Sequence, residues 1–338
     1  MKNDKDYLRR IIITFSILFL YGGLRTDCGD WDAYESFYNV ASQYGASSAL
    51  KFNEHMEYGW AFICQLFPSF RVLVIVQTLL FCVTLGYVTY KIVPSKYSWV
   101  VVLMLFITGD KSIMFMFCSM RNSIAVSLLL LSVAFMLKRK WKIAVFITIF
   151  ASTIHTSAIV FIPIAGILSF WARKTGSMSK IELCIWITLL VSLVLFPIDS
   201  IIDPLVVVFM QDDLSRYQDI ITAQHTSAGT AATFGSVLLS SGLLFYIYKY
   251  AETVEENTIG RISLLLTYSY LLGTLNVRVS HYYIIFFVLC MALIYKSAMP
   301  SILKRAYLGM ALAFFGYALF VVEMNNEYCL FNIFQSFI

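Results

Sequence analysis

Four arginines stand at or beyond the ends of apolar runs. They are Arg25, Arg121 after Cys118-Ser119-Met120, Arg216 before Tyr217, and Arg278 within Asn276-Val277-Arg278-Val279-Ser280-His281-Tyr282-Tyr283. A guanidinium keeps its charge when partly desolvated and presents a planar fork that fits two phosphate oxygens. Taken singly, each arginine is explained as well by snorkelling to headgroups or by pairing with an acid such as Asp30 or Asp213. Four of them at one membrane face would build a site for a diphosphate.

Histidine is sparse, and all four copies, His55, His155, His225 and His281, fall at or near that same face. Imidazole titrates near working pH, which makes His155 a candidate proton acceptor. The plainer alternative is a core histidine satisfied by Thr153, Thr156 and Ser157. The loop that begins at Arg25 carries Asp27, Asp30, Trp31, Asp32, Tyr34, Glu35, Phe37 and Tyr38, then Glu54, His55, Glu57, Tyr58 and Trp60. Trp31, Tyr34 and Tyr38 recur at helical spacing, as in a helix lying in the membrane interface. Asp30 stands where it would cap that helix, and Glu57 where it would complement the positive end of a helix starting near Tyr58.

These groups must be positioned by a membrane domain. Of 338 residues, 59% are hydrophobic and 13% charged, against about a quarter charged in soluble domains. Composition therefore excludes a water-soluble globular enzyme. A span needs about 20 mostly apolar residues. Candidates are 8–24, 70–91, 97–117, 120–137, 142–154, 156–171, 181–198, 231–250, 259–276, 279–296 and 306–322. The expectation is an all-α, polytopic, single transmembrane domain over 1–338 with about eleven spans, in a range of 10–12. The first run follows Arg9 and Arg10 and lacks a small-residue cleavage pattern, so it is expected to remain as a span.

Basic clusters at alternate ends of the spans set the orientation: the N-terminus inside, the C-terminus outside, and outward loops at approximately 25–69 and 199–230. The inward loops hold 18 of the 25 Lys and Arg and 6 of the 20 acids. The net charge of +5 is thus a topology signal and does not point to nucleic acid. The seven outward basics are Arg25, Lys51, Arg71, Lys111, Arg121, Arg216 and Arg278, which run against the insertion bias.

Between Trp141 and Trp171 the chain is longer than one crossing and shorter than two, yet basic clusters flank both ends. The solution is a hairpin of two short helices breaking near His155-Thr156-Ser157. Irregular backbone at that depth survives where it is buried in protein or lines a wet cavity. His155 would then sit at the floor of an outward cavity.

No CxxC, HExxH, P-loop or glycine-rich nucleotide fingerprint appears, so neither a metal nor a cofactor is expected. Cys64, Cys82, Cys184 and Cys290 lie in apolar runs as small hydrophobes, and nothing in the spacing argues for pairing Cys28 with Cys329.

Several short motifs occur in a recognisable order: Arg25 followed by Asp30 and Tyr34; Glu57-Tyr58-Gly59; Arg121 with Ala125 four residues on; Ile154-His155-Thr156-Ser157-Ala158; and Arg278 running into Tyr282-Tyr283. Over about residues 20–295 the chain resembles the EpsG family of Wzy-like polysaccharide polymerases. Glu57 is followed by Tyr where the family often has Pro, and Arg121 by Asn where Gln is common; the charges remain in place.

The resemblance implies a GT-C-like glycosyltransferase of the bacterial cytoplasmic (inner) membrane. Its donor and acceptor would be polyprenyl-diphosphate-linked oligosaccharides, joined at the outer face in O-antigen, capsule or exopolysaccharide synthesis. On this reading Arg121, Arg216 and Arg278 take the diphosphate while Arg25 supports or orients the first loop. His155 leads Asp30 and Glu57 as the base, and Tyr34 and Tyr282 are sugar contacts. Membrane lipids are partners, with a chain-length regulator protein as a further candidate. A lipid-linked oligosaccharide flippase or secondary transporter is the alternative from another class, disfavoured because the non-loop charges gather on one side and no repeat is found. A membrane O-acyltransferase or a glycan ligase is a second; the ligase would share the donor chemistry.

Overall fold

The computed structural model describes residues 2–26, 30–54, 56–109, 112, 115–161, 178–195, 228–269 and 276–324. All regular structure among them is helical. The chain divides into two compact units, Met1–Thr175 with Leu319–Ile338, and Gly176–Ala318.

The first unit contains α1 (Lys2–Gly23), α2 (Trp31–Tyr44), α3 (Ala46–Phe52), α4 (Tyr58–Leu66), α5 (Phe70–Ile92), α6 (Ser98–Ile107), α7 (Phe115–Cys118), α8 (Met120–Leu137) and α9 (Trp141–Ile154). Of these, α5 and α8 are long and apolar enough to cross a membrane, and α9 is a shorter apolar helix. Ser69 caps α5 by accepting from the Val72 N–H, and Pro94, which cannot continue a helix, follows its end. α1 packs along α5, with Gly86 leaving room for the Phe15 ring and the Tyr7 hydroxyl donating to Val93 O at 2.7 Å. Within the stretch expected as one span at 97–117, α6 ends at Ile107 and α7 starts at Phe115; residues 110, 111, 113 and 114 between them lie outside the described residues.

α8 and α9 form an antiparallel hairpin. The turn between them is a Schellman motif, with Lys140 N–H on Phe135 O, Arg139 N–H on Met136 O, and Arg139 itself at φ 59°. Inside the hairpin, the Ser132 hydroxyl lies 2.8 Å from both Ala144 O and the Thr148 hydroxyl. Because the helices run opposite ways from a tight turn, the start of α8 and the end of α9 lie at the same end. Arg121 and His155 are thereby brought together.

The second unit contains α10 (Lys180–Leu195), α11 (Ala228–Lys249), α12 (Val254–Ser269), α13 (Asn276–Lys296) and most of α14 (Ser301–Met324). Thr253 and Glu256 close a capping box at the start of α12, each side chain accepting from the other's backbone N–H. Lys296 at the end of α13 adds an ion pair to Glu256 at 2.9 Å. α10 is tied to α12 by Glu182, whose two oxygens accept from Arg261 Nε at 2.6 Å and Nη2 at 2.9 Å.

Several helices leave apolar faces uncovered: Ile12, Ile13, Ile17 and Leu20 on α1, Ile143, Phe146 and Phe150 on α9, and Ile181 and Ile185 on α10. In water such contiguous faces would drive association. Apolar helices with exposed apolar stripes and polar ties turned inward are those of a membrane protein.

Candidate functional site

Glu57 is the hub of the polar cluster in the first unit. It stands at the N-cap position of α4 but makes no capping hydrogen bond to that helix. Its carboxylate instead reaches two other elements: Oε2 accepts from Arg121 Nη1 at the start of α8. Oε1 accepts from the Thr156 backbone N–H at 2.9 Å and from the Thr156 hydroxyl at 3.2 Å. His155 Nδ1 lies 3.6 Å from the same Oε1. The side chains of Arg121, Glu57 and His155 are 18%, 15% and 10% exposed, so the cluster is screened from bulk solvent without being sealed.

Local sequence explains how these groups are held. α9 ends at Ile154, and His155 adopts extended backbone as its C-cap before a 3-10 turn over Thr156–Val160. The helix break expected near His155-Thr156-Ser157 is therefore present. It exposes the Thr156 N–H that Glu57 captures. The second arm expected over 156–171 is described only as far as Phe161.

Tyr34 completes the cluster. Its ring lies under the Arg121 guanidinium, with 5.9 Å from Cζ to the ring centroid, and meets the Trp60 ring edge-to-face at 5.4 Å. Burial pushes the Tyr34 hydroxyl above its ordinary value of 10.0, while the Arg121 charge and hydrogen bonds from Arg121 and Ser119 oppose the rise. The phenol is thus neutral and able to donate as well as accept. The Trp60 Nε1–H is buried with no hydrogen-bond partner among the described residues.

The aromatics of α2 differ from an interfacial belt. Tyr34, Phe37 and Tyr38 are buried, in one apolar cluster with Trp60 and Cys64 of α4 and Phe70 and Leu73 of α5. Their helical spacing marked a face that packs on protein. Asp30 occupies the N-cap position of α2 but makes no side-chain capping bond there; it is exposed and lies near enough to Tyr34 for its charge to raise that hydroxyl.

Arg25 is 1% exposed, and its fork is committed to protein. Nη1 donates to Gly22 O and, at 2.9 Å, to Thr78 Oγ1; Nη2 donates to Gln77 Oε1 at 3.0 Å and Phe117 O at 2.6 Å. Its backbone carbonyl accepts from Arg71. This geometry ties Arg25 to Gln77 and Thr78 of α5 and to the Phe117 carbonyl. Sequence reasoning missed the partners Gln77 and Thr78, although consecutive polar residues inside an apolar run are a signal in themselves.

The remaining expected residues lie in the second unit or outside the described residues. Arg278 and Tyr282 belong to α13 in the second unit, and their side chains lie outside the described residues. Arg216, His225, His55, Asp27, Lys111, Cys28 and Cys329 lie outside them altogether. Among the described residues no group of three or more His, Cys, Asp or Glu is placed to hold a metal ion.

A model of the EpsG family matches residues 7–333. The chain belongs to the EpsG family. EpsG proteins are Wzy-like polysaccharide polymerases, and the match covers every motif on which the resemblance was drawn. No curated protein and no solved structure matches the chain. For this EpsG member the family assigns a role in polysaccharide polymerisation, and the Glu57–Arg121–His155–Tyr34 cluster is the candidate place for it.

Proposed function

We propose that this EpsG protein is a glycosyltransferase that polymerises polyprenyl-diphosphate-linked oligosaccharide repeats at the outer face of the cytoplasmic membrane. The observation that carries the reading is the meeting of Arg121, Glu57, His155 and Tyr34, drawn from α8, the α4 start, the α9 end and α2. An arginine, a carboxylate–imidazole pair and a neutral phenol beside buried aromatics form a reasonable tool set for moving a sugar off a diphosphate.

In the reaction, the acceptor hydroxyl oxygen attacks the anomeric carbon of the donor sugar. A carbon–oxygen bond forms as the bond to the diphosphate oxygen breaks, and the electron pair leaves with the polyprenyl diphosphate. Arg121 meets the charge developing on that leaving group, with Arg216 and Arg278 assigned to the same diphosphate. His155 takes the hydroxyl proton, oriented through Nδ1 by Glu57. Asp30, exposed at the α2 start, and Glu57 stand behind His155 as the base. Tyr34 and Tyr282 contact sugars, and Arg25 supports the first loop.

The topology that goes with this reading has about eleven spans, an inward N-terminus and the Glu57 cluster facing outward. Purified protein in lipid with defined polyprenyl-diphosphate repeats tests it. Laddered products without added nucleotide support the polymerase; movement of intact lipid between leaflets with no new glycosidic bond replaces it with a flippase.

A further inference from the structure

Two Arg–Glu pairs among the described residues are built differently. Glu182 gives both oxygens to Arg261, a closed fork that Asn257 reinforces by accepting from Arg261 Nη1 at 3.2 Å through its side-chain oxygen. Glu57 divides its oxygens: Oε2 goes to Arg121, and Oε1 goes to the backbone N–H and hydroxyl of Thr156. The Glu57 carboxylate is therefore anchored by α9 and its following turn independently of Arg121. An anion that draws Arg121 away leaves Glu57 in place and negatively charged.

We infer that Glu57 is an exchangeable counter-ion of Arg121: the donor diphosphate displaces its Oε2 from the guanidinium, and the carboxylate, still held by Thr156, closes on His155. This rests on the reading of Arg121 as a diphosphate ligand and deepens it. The 3.6 Å between Glu57 Oε1 and His155 Nδ1 is longer than a hydrogen bond and within one small side-chain adjustment of becoming one. Donor arrival thus completes the carboxylate–imidazole pair. Hydrogen-bonded to Nδ1–H, Glu57 fixes the tautomer in which Nε2 carries the lone pair that takes the acceptor's proton. Glu57 and Thr156 are positioning residues, acting through His155.

The exchange has a cost that can be measured. A guanidinium paired with Glu57 most of the time binds donor with an affinity reduced by the fraction that is paired. Glu57→Gln keeps the size and the acceptor oxygen for the Thr156 N–H while removing the charge. Its affinity for farnesyl diphosphate, measured on the full-length protein in detergent with a melting curve as folding control, is expected to rise about tenfold. Its turnover with saturating lipid-linked repeats is expected to fall by about 100-fold. Opposite movements of affinity and turnover are not the signature of a lost structural contact. Should Glu57→Gln fail to fold, Glu57→Asp, which keeps the charge on a shorter stem and loosens its hold on Arg121, carries the same expectation in smaller measure.

Unchanged or weaker binding by these folded variants, with Arg121→Lys still weakening it, overturns the exchange and leaves the diphosphate reading standing. If Arg121→Lys also binds the probe like the wild type, the diphosphate reading itself fails.

Discussion

Gly59 of α4 lies against the backbone of Thr153 near the end of α9, so close that a Cβ on it would come within 2.5 Å of the Thr153 carbonyl oxygen. The helix bearing Glu57 at its start can approach the His155 turn only because this position has no side chain. Backbone cannot swing aside as a flexible side chain does. Gly59→Ala is therefore expected to push α4 away from α9, at a cost of about 1–3 kcal/mol. Polymer synthesis should fall with it, because the Glu57–Thr156 bonds stretch. A melting curve and a polymer ladder on the same preparation check both; wild-type values for each would show that the approach is not needed.

Arg121→Lys keeps a positive charge beside Glu57 and loses the planar fork. If two phosphate oxygens are held by that fork, turnover should drop by about 100-fold. Gels of cell-surface polymer would show the ladder collapsing to short products, whereas an undiminished ladder rules out bidentate clamping.

His155→Ala removes the proposed proton acceptor while Thr156 still holds Glu57. Loss of a general base lowers rate by about 10²–10⁴-fold. Single-turnover assays with bound donor isolate this from binding. Polymerisation at the wild-type rate would remove His155 from the mechanism and leave Asp30 or Glu57 as the base.

Arg25→Lys tests support against substrate contact. A lysine cannot span Thr78, Gln77 and the Phe117 carbonyl together, so stability should fall by about 2–4 kcal/mol. Molecules that do fold should bind farnesyl diphosphate like the wild type. Weakened binding in a protein of normal stability would move Arg25 back to the donor site.

Glu256 gives a pH signature outside the site. Burial would raise its carboxyl, but Lys296 and the N–H groups of Glu252 and Thr253 outweigh that and hold it below the ordinary 4.5. A depressed folded value means that its contribution is present above the unfolded value and is lost as pH falls through the folded one. The melting temperature of the wild type should therefore decline below about pH 4.5 more steeply than that of Glu256→Gln. Parallel declines would show that the capping box carries no charge-linked stability.

The helices were legible because their causes are local. Apolar runs bounded by basic clusters marked α5, α8 and α9 to within a residue, while α1 starts six residues before the expected span. The break at His155 followed from a length that fits neither one crossing nor two.

Residue types and their order along the chain were enough to settle the membrane class, the EpsG family and the short list of groups with chemistry to offer. Which of those groups touch was decided by packing. Glu57 stands 64 residues from Arg121 and 99 from Thr156, and nothing in spacing distinguishes a carboxylate that complements its own helix from one that bridges two others. Arg25 and Arg121 look alike as arginines at the ends of apolar runs. The fold buries one against Gln77 and Thr78 and leaves the other part-open beside Tyr34. Hydropathy is summed along a helix, whereas an ion pair depends on where two helix ends meet, and only the antiparallel α8–α9 hairpin and the Gly59 approach determine that.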